Sequence, residues 1–209
     1  MAQDAVTRAT YNVNPDDLER MLLTKEQLPP GSEGFEVVRE GELSNEAMAD
    51  LPLAGHTAQG LRQLGRVTGF QREWLTTAPD DNLPEGADLA LATVVHFMES
   101  PEAVSNWMEK VFLEEFREKV GQELGPGHRL VSVDRLSLST QFHHDAIGVR
   151  AVQEGPKGLV SSAVLDFRLG RLLGVVYVVT FGAQNRQGGT ENLGKTLERH
   201  MISVALGAA

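Results

Sequence analysis

The sequence predicts an α+β fold: a mostly antiparallel sheet of five to seven strands with two long amphipathic helices packed on it. The first observation is the segment 158–182, in which two runs rich in β-branched and aromatic residues, 159–167 and 172–181, flank a short Arg-Leu-Gly-Arg turn. The second is a helical apolar pattern after Ser100. The third is the succession of strands joined by short turns, which favours antiparallel pairing.

Beyond this central hairpin, alternating or continuous apolar patterns predict five more strands, at residues 35–39, 65–76, 87–98, 129–140 and 147–153. In the strand 65–76, side chains two residues apart lie on the same face. Phe70, Arg72 and Trp74 therefore share one face of that strand.

The first long helix is predicted from Ser100, an N-cap residue followed by Pro101 at the first helical position, to about residue 124. Apolar residues recur in it at spacings of three and four, which places Trp107 on the apolar face and in the core. A second long helix is expected over about 190–206. A shorter helix begins at Asn14, which precedes a proline and two acidic residues.

The 209 residues suit a single α+β domain. Within it we expect residues 1–64 to form a peripheral acidic lobe and residues 65–209 to form the sheet-and-helix core. The charge is unevenly distributed: residues 1–100 hold 17 acidic and 7 basic residues, whereas the remainder holds 12 of each. We interpret the acidic half as a solvated surface.

Composition excludes several functions. A net charge of −10 without a basic stripe disfavours binding to nucleic acid or to anionic membrane surfaces. The chain has no cysteine, so disulfides and thiolate chemistry are excluded. No run of about 18 apolar residues is present, so we predict no membrane insertion. The first residues lack a secretory signal pattern, which indicates either a cytoplasmic N-terminus or one from which a signal was removed.

Residues 189–196 match the phosphate-binding pattern G-x-x-x-x-G-K-[ST] letter for letter. We interpret the match as accidental. Seven residues separate it from the preceding strand, only 13 residues follow it, and the surrounding strands are predicted to be antiparallel. We therefore predict no nucleotide and no other cofactor.

His143 and His144 adjoin each other in a predicted loop. Adjacent side chains in extended backbone point to opposite sides, so we expect no shared metal ion and predict neither a metal site nor a catalytic residue. A small histidine-dependent or metal-dependent hydrolase is the alternative, if His96 or His128 converges on this pair.

Asp166 interrupts the apolar hairpin beside Arg168. We expect it to point outward in a cross-strand ion pair. An inward position that lines a pocket is the alternative.

We predict that Phe70, Arg72 and Trp74 bind a ligand, since they combine aromatic and cationic contacts on one strand face. Trp74 is expected at the rim of a groove for which residues 25–90 form one wall. The expected partner is a small molecule or a protein segment. The sequence does not indicate an oligomeric state.

Three segments carry a resemblance to a known group. They are MLLT at 21–24 with LPP at 28–30, VHFMESPEA at 95–103 leading to Trp107, and GRLLGVVYV at 170–178. With these segments the chain resembles a bacterial group of extracytoplasmic proteins of unknown function with a PsbP-like fold. The group includes sensor domains of actinobacterial membrane kinases and related lipoproteins. Its members often carry disulfides or a lipid-bearing cysteine, and this chain has neither.

The resemblance implies a non-catalytic ligand-binding or sensor module outside the cytoplasm, and it assigns no catalytic residue. Without the resemblance, a cytoplasmic location is expected. The alternative functions are a protein-interaction module that docks a partner by its sheet edge or acidic surface, and the hydrolase based on the histidines.

Overall fold

Eight antiparallel strands form one sheet in the computed structural model, which describes residues 4–51, 56–77, 83–125 and 127–208. The order across the sheet is β1-β2-β3-β8-β7-β6-β5-β4. The strands are β1 (Phe35–Glu42), β2 (Arg66–Thr76), β3 (Asp88–Met98), β4 (Glu123–Gly125), β5 (His128–Leu136), β6 (Ala146–Gly155), β7 (Gly158–Leu169) and β8 (Leu172–Phe181). The predicted α+β class, with an antiparallel sheet under helices, is confirmed.

Helices cover the sheet on both faces. Among the described residues they are α1 (Ala5–Thr10), α2 (Leu18–Met21), α3 (Asn45–Ala49), α4 (Ala58–Gln63), α5 (Pro101–Asn106), α6 (Glu115–Glu118) and α7 (Gln187–Ala205). A π-helix, Trp107–Glu114, joins α5 to α6, so residues 101–118 form one continuous helical segment. Two single 3₁₀ turns, Pro15–Asp17 and Lys25–Gln27, border α2.

The long helical segment ends earlier than predicted. Its last helical residue is Glu118, whereas the sequence pattern extends to about residue 124. The cause is β4, which pairs antiparallel with β5 and so removes the last predicted turn from the helix. Ser100 caps the start as predicted, because its side chain accepts a hydrogen bond from Ala103 N.

Two apolar clusters lie on opposite faces of the sheet. We call the face that packs against α2 and α7 the first face; Leu165, Phe167 and Leu197 belong to its cluster. The second face packs beneath α4, α5 and the π-helix, and its cluster includes Leu173 and Trp107. Trp107 is 5% exposed, which confirms its predicted core position.

The β7–β8 turn is the point where the N-terminal segment meets the sheet. Gly170 has φ +57°, and a Cβ atom there would collide with the side chain of Thr10. Arg171 donates from Nε to Thr10 O (3.2 Å) and from a guanidinium NH₂ to Val13 O (3.3 Å). Its guanidinium carbon also lies 4.2 Å from the ring centre of Phe97. A glycine is therefore required at this turn.

Residues 1–64 were predicted to form a peripheral lobe, but part of this segment lies in the core. Leu18, Met21, Leu22 and Leu23 are fully buried in the first-face cluster, and β1 pairs with β2 along its length. The capping pattern at Asn14 predicted a helix here, but the sequence held no information about which surface the helix covers. Residues 52–55, which separate α3 from α4, lie outside the described residues.

Candidate functional site

A groove with a volume of about 660 Å³ lies on the first face, where the chain around residues 29–35 meets the start of α7. Buried apolar side chains line its inner part: Phe35, Leu91, Val178 and Leu193. The more exposed lining residues include Pro30, Thr76, Asn185, Gly188 and Gly189. This volume lies within the range of about 300–1,000 Å³ that is usual for small-molecule sites.

The start of α7 is open toward the groove. A Cβ atom at Gly188 or Gly189 would meet no heavy atom of the described residues within 4 Å. Of the described lining residues, Asp88 and Arg186 are the ionisable ones, and they pair with each other, with Arg186 Nε 2.8 Å from Asp88 Oδ1. Their charges are therefore mutually neutralised, and the remaining surface is apolar or carries neutral polar groups.

One wall of this groove comes from residues 25–90, the region predicted to supply it, but the predicted binding residues lie elsewhere. Trp74 is 0% exposed and belongs to the first-face core, so it is not a rim aromatic. Arg72 donates to Leu23 O at 2.6 Å and pairs with Glu40. Phe70 lines a separate cavity of only about 210 Å³. Ligand binding by these three residues stays a prediction.

The phosphate-binding pattern lies inside a helix. Residues 189–196 belong to α7, and Thr196 Oγ1 donates to Asn192 O (2.9 Å) as in an ordinary helical turn. Lys195 donates to Gln141 O (2.8 Å) and pairs with Glu198. The segment therefore lacks the loop conformation in which backbone amides surround a phosphate.

His143 and His144 face the same carboxylate, contrary to the prediction that they point apart. His144 Nε2 lies 2.8 Å from Asp4 Oδ2, and His143 Nε2 lies 3.6 Å from Asp4 Oδ1. The backbone bends at both histidines, so the alternation of an extended strand does not apply. A hydrogen bond from Thr7 N, with smaller contributions from His144, holds the pKa of Asp4 below its usual value.

The other histidines do not converge on this pair. His96 is buried on the second face, where its Nδ1 accepts from Arg66 Nε (3.0 Å) and its ring lies 5.9 Å from that of Trp107. The ring of His128 lies against Gly155. A three-histidine site is therefore excluded among the described residues.

Arg66 is the centre of a buried polar network that the sequence did not predict. Besides His96, it binds Asn45 Oδ1 (2.7 Å) and Leu43 O (2.6 Å), and so it fixes the chain after β1 to the second face. Burial lowers the pKa of Arg66 to about 10, an effect that the charge of Glu42 partly offsets. Burial and the charge of Arg66 lower the pKa of His96 well below its usual value, so His96 is neutral.

Asp166 points inward, contrary to the expected ion pair. It is 2% exposed on the second face, and its Oδ1 has no hydrogen-bond partner among the described residues. Arg168 instead pairs with Asp145, with its guanidinium 2.9 Å from Oδ2. Burial raises the pKa of Asp166 well above its usual value, because the surroundings penalise the charged form of the carboxyl.

Glu191 on α7 holds the loop that carries the two histidines. Its carboxylate accepts from Ser139 Oγ (2.8 Å), Thr140 N (2.7 Å) and Gln187 Nε2 (2.7 Å). Burial alone would raise the pKa of Glu191, but the hydrogen bonds from Thr140, Gln187 and Ser139 outweigh burial and lower the pKa to about 2. The ionised form is therefore the one that binds the loop.

Replacing Glu191 with Gln should change the dependence of stability on pH. Because the folded pKa is depressed, the charge stabilises the protein fully above pH 4.5, and this contribution disappears as the pH falls through about 2. The stability gap between wild type and Glu191→Gln should therefore close by about 3 kcal/mol between pH 5 and pH 2. Urea denaturation across this range measures it. The exposed control Glu118→Gln should change stability by less than about 0.5 kcal/mol at pH 5. A constant gap for Glu191→Gln between pH 5 and pH 2 would contradict the assignment.

No protein-family model matches the chain, and no curated protein matches its sequence. Among solved structures, the chain is similar to the crystal structure of the extracellular domain of PknH from Mycobacterium tuberculosis, with a TM-score of 0.58 and 10% identity. The similarity covers 90% of this chain and 97% of that chain. At this identity it shows the fold alone. None of the described helices is long and apolar enough to cross a membrane. From the structural similarity, the chain has the fold of the PknH extracellular domain. The PsbP-like assignment stays a prediction.

Proposed function

We propose that the chain is a non-catalytic ligand-binding or sensor module that acts outside the cytoplasm, and that its ligand occupies the groove beside the start of α7. The observation that carries the proposal is the groove itself, about 660 Å³ with a buried apolar lining and an exposed, neutral polar border. Such a combination is typical of small-molecule sites, where the apolar surface gives affinity and a few polar groups give orientation.

The extracytoplasmic location rests on the similar fold of the PknH extracellular domain. The non-catalytic role rests on the chemistry of the groove. Of its described lining residues, Asp88 and Arg186 pair with each other, and no histidine is among them. General acid–base catalysis requires an ionisable side chain within reach of the bound molecule and without a competing partner. The groove therefore suits binding better than turnover.

The groove favours a ligand with an apolar body and neutral hydrogen-bonding groups. Phe35, Leu91 and Val178 supply the apolar contacts, and Thr76 and Asn185 supply hydrogen-bonding groups. A small molecule of this kind, or the side chains of a short protein segment, meets both requirements.

Docking of a partner along the sheet edge has less support. The edge strand β1 exposes Val38, but its pairing with β2 contains a bulge between Val37 and Arg39. Charged residues also lie along β1, where Glu36, Arg39 and Glu40 are all exposed. A bulge and charges are features that protect an edge from further strand pairing.

Occlusion of the groove tests the proposal. Gly189→Trp places a large side chain where the glycine leaves open space. Gly189→Ala is the matched control, because it also replaces a glycine by a residue of higher helix propensity but does not fill the groove. A library of fluorinated fragments, screened by ¹⁹F NMR, should give ligands that bind wild type and Gly189→Ala alike. Gly189→Trp should weaken the binding of the same ligands by at least about tenfold, because the tryptophan would cover apolar surface that a bound ligand otherwise buries.

Both variants should keep the wild-type melting temperature to within a few degrees, because residue 189 is exposed in the first turn of α7. If the fragments bind Gly189→Trp as tightly as Gly189→Ala, the groove is not the ligand site.

A further inference from the structure

We propose that Asp4, His143 and His144 form a binding site for a divalent transition-metal ion such as Zn²⁺. One carboxylate oxygen and one ring nitrogen of each histidine all lie within 4.8 Å of one another. The two imidazole rings meet edge to face, with centres 4.6 Å apart. This arrangement is independent of the groove, which lies at the other end of the sheet's first face near Asp88 and Gly189.

The distances suit a tetrahedral ion. Zinc binds imidazole nitrogen and carboxylate oxygen at about 2.0–2.2 Å, so its ligand atoms lie about 3.3 Å apart. The observed separations from Asp4 oxygens are 2.8 Å to His144 and 3.6 Å to His143, one shorter and one longer than this value. The His143 side chain is 37% exposed, so it has room to turn toward the ion.

Both sides of the site are anchored to helices. Asp4 is the N-cap of α1, and its carboxylate accepts from Thr7 N (2.8 Å) and Thr7 Oγ1 (2.9 Å). On the other side, His143 N donates to Glu198 Oε1 (2.5 Å) on α7. Ligands that are held before the ion arrives lose little conformational freedom on binding.

The ligand set and its exposure define the class of ion. Two neutral imidazoles and one carboxylate are nitrogen and oxygen ligands of the kind that Zn²⁺ and neighbouring transition metals prefer over Ca²⁺ or Mg²⁺. Asp4 is 46% exposed, so solvent reaches the site and supplies a fourth ligand. Ligation through His144 Nε2 requires the proton on Nδ1, so the 3.4 Å contact between Nδ1 and Gly170 N is given up.

The ion would join parts of the chain that are 140 residues apart, the α1 helix and the loop before β6. Because α1 also contacts the β7–β8 turn through Thr10, metal binding would fix the N-terminal segment to the sheet. A ligand that binds only the folded chain raises its stability in proportion to its affinity. The rival interpretation is a simple hydrogen bond between His144 and Asp4, which predicts no effect of metal.

The test uses protein without a polyhistidine tag. Isothermal titration with Zn²⁺ should show one site per chain, and the melting temperature should rise with Zn²⁺. His143→Ala and Asp4→Asn should each weaken binding by at least about tenfold, because each removes a ligand and loss of even an outer-sphere partner costs about 10–100-fold. His128→Ala replaces an exposed histidine at the start of β5, beside the far end of β6, and this variant should bind Zn²⁺ like wild type.

Absence of one-site binding in wild type would overturn the proposal, as would wild-type affinity in both ligand variants. Co²⁺ gives a second test that needs no variant. A bound Co²⁺ with four or five ligands should show an intense visible absorption band, and the weak spectrum of the hexa-aqua ion at saturating protein would also overturn it.

Discussion

Replacing Trp107 with Ala is expected to destabilise the protein by about 3–5 kcal/mol, the usual cost of deleting a large buried aromatic side chain. Trp107 is 5% exposed and lies in the second-face cluster with Met108 and Leu173. It also contacts the ring of His96, and so lies against the buried Arg66 network. The melting temperature should fall by about 6–20 °C, since 1 kcal/mol corresponds to about 2–4 °C in a chain of this size.

Trp107→Phe is the matched comparison, because it keeps an aromatic ring in the cluster and should cost less than Trp107→Ala. Val120→Ala is the surface control: Val120 follows the same helical segment but is exposed, and its replacement should change stability by less than about 0.5 kcal/mol. A shift of under two degrees for Trp107→Ala would mean that the helical segment does not cover the second face.

Replacing Asp166 with Asn should reduce the loss of folding stability that occurs as the pH rises. Burial raises the folded pKa of Asp166, so above pH 3.8 the folded state retains a proton that the unfolded state has lost. Wild type therefore loses stability as the pH rises toward the folded pKa, by about 1.4 kcal/mol for each pH unit. Asp166→Asn has no proton to retain, so its stability relative to wild type should increase by that amount per unit from pH 4 upward.

Urea denaturation from pH 4 to pH 8 measures this slope. The matched control is Asp145→Asn, which replaces an exposed aspartate that pairs with Arg168 and should cost less than about 1 kcal/mol. Parallel pH profiles for wild type and Asp166→Asn would show that Asp166 is ionised in the folded state, and would contradict its position beneath the helices.

Most strands were predictable because their patterns are local. The β7–β8 hairpin has a long run of β-formers on each side of one glycine turn, and both runs form strands as predicted. The strand β4 was missed because three residues carry no periodicity. It exists through backbone pairing with β5, which begins only three residues later, and the side-chain pattern does not encode such pairing.

The sequence predicted which side chains share a face of a strand, but it did not predict which helices pack on that face. Alternation correctly placed Phe70 and Trp74 on one face of β2, yet both pack toward the first-face core rather than toward solvent. The same holds for Asp166, because the alternation of side chains in the strand does not reveal that a helical segment covers the second face. Burial depends on which element packs above a strand, and this is decided by the whole topology.

The candidate sites were the least predictable part. Prolines near residue 30 and glycines 188 and 189 are far apart in the chain, and only the sheet order brings them to one groove. The sequence predicted a groove wall in residues 25–90 with contacts from Phe70, Arg72 and Trp74, whereas the groove beside α7 is lined by other residues. For His143 and His144, the error was to apply strand alternation to a bent loop, and Asp4 is 139 residues away from His143 in the sequence.

The central claim is that the groove beside α7 is the ligand site. Mapping the changes in the protein's backbone amide chemical shifts when fragments bind tests this claim most directly. Fragments identified with wild type should shift the amides of Ser32, Thr76, Gly188 and Gly189, which border the groove. Shifts confined to residues 155–158, which line a second cavity of about 480 Å³ at the β6–β7 turn, would place the ligand site there and contradict the proposed function as stated.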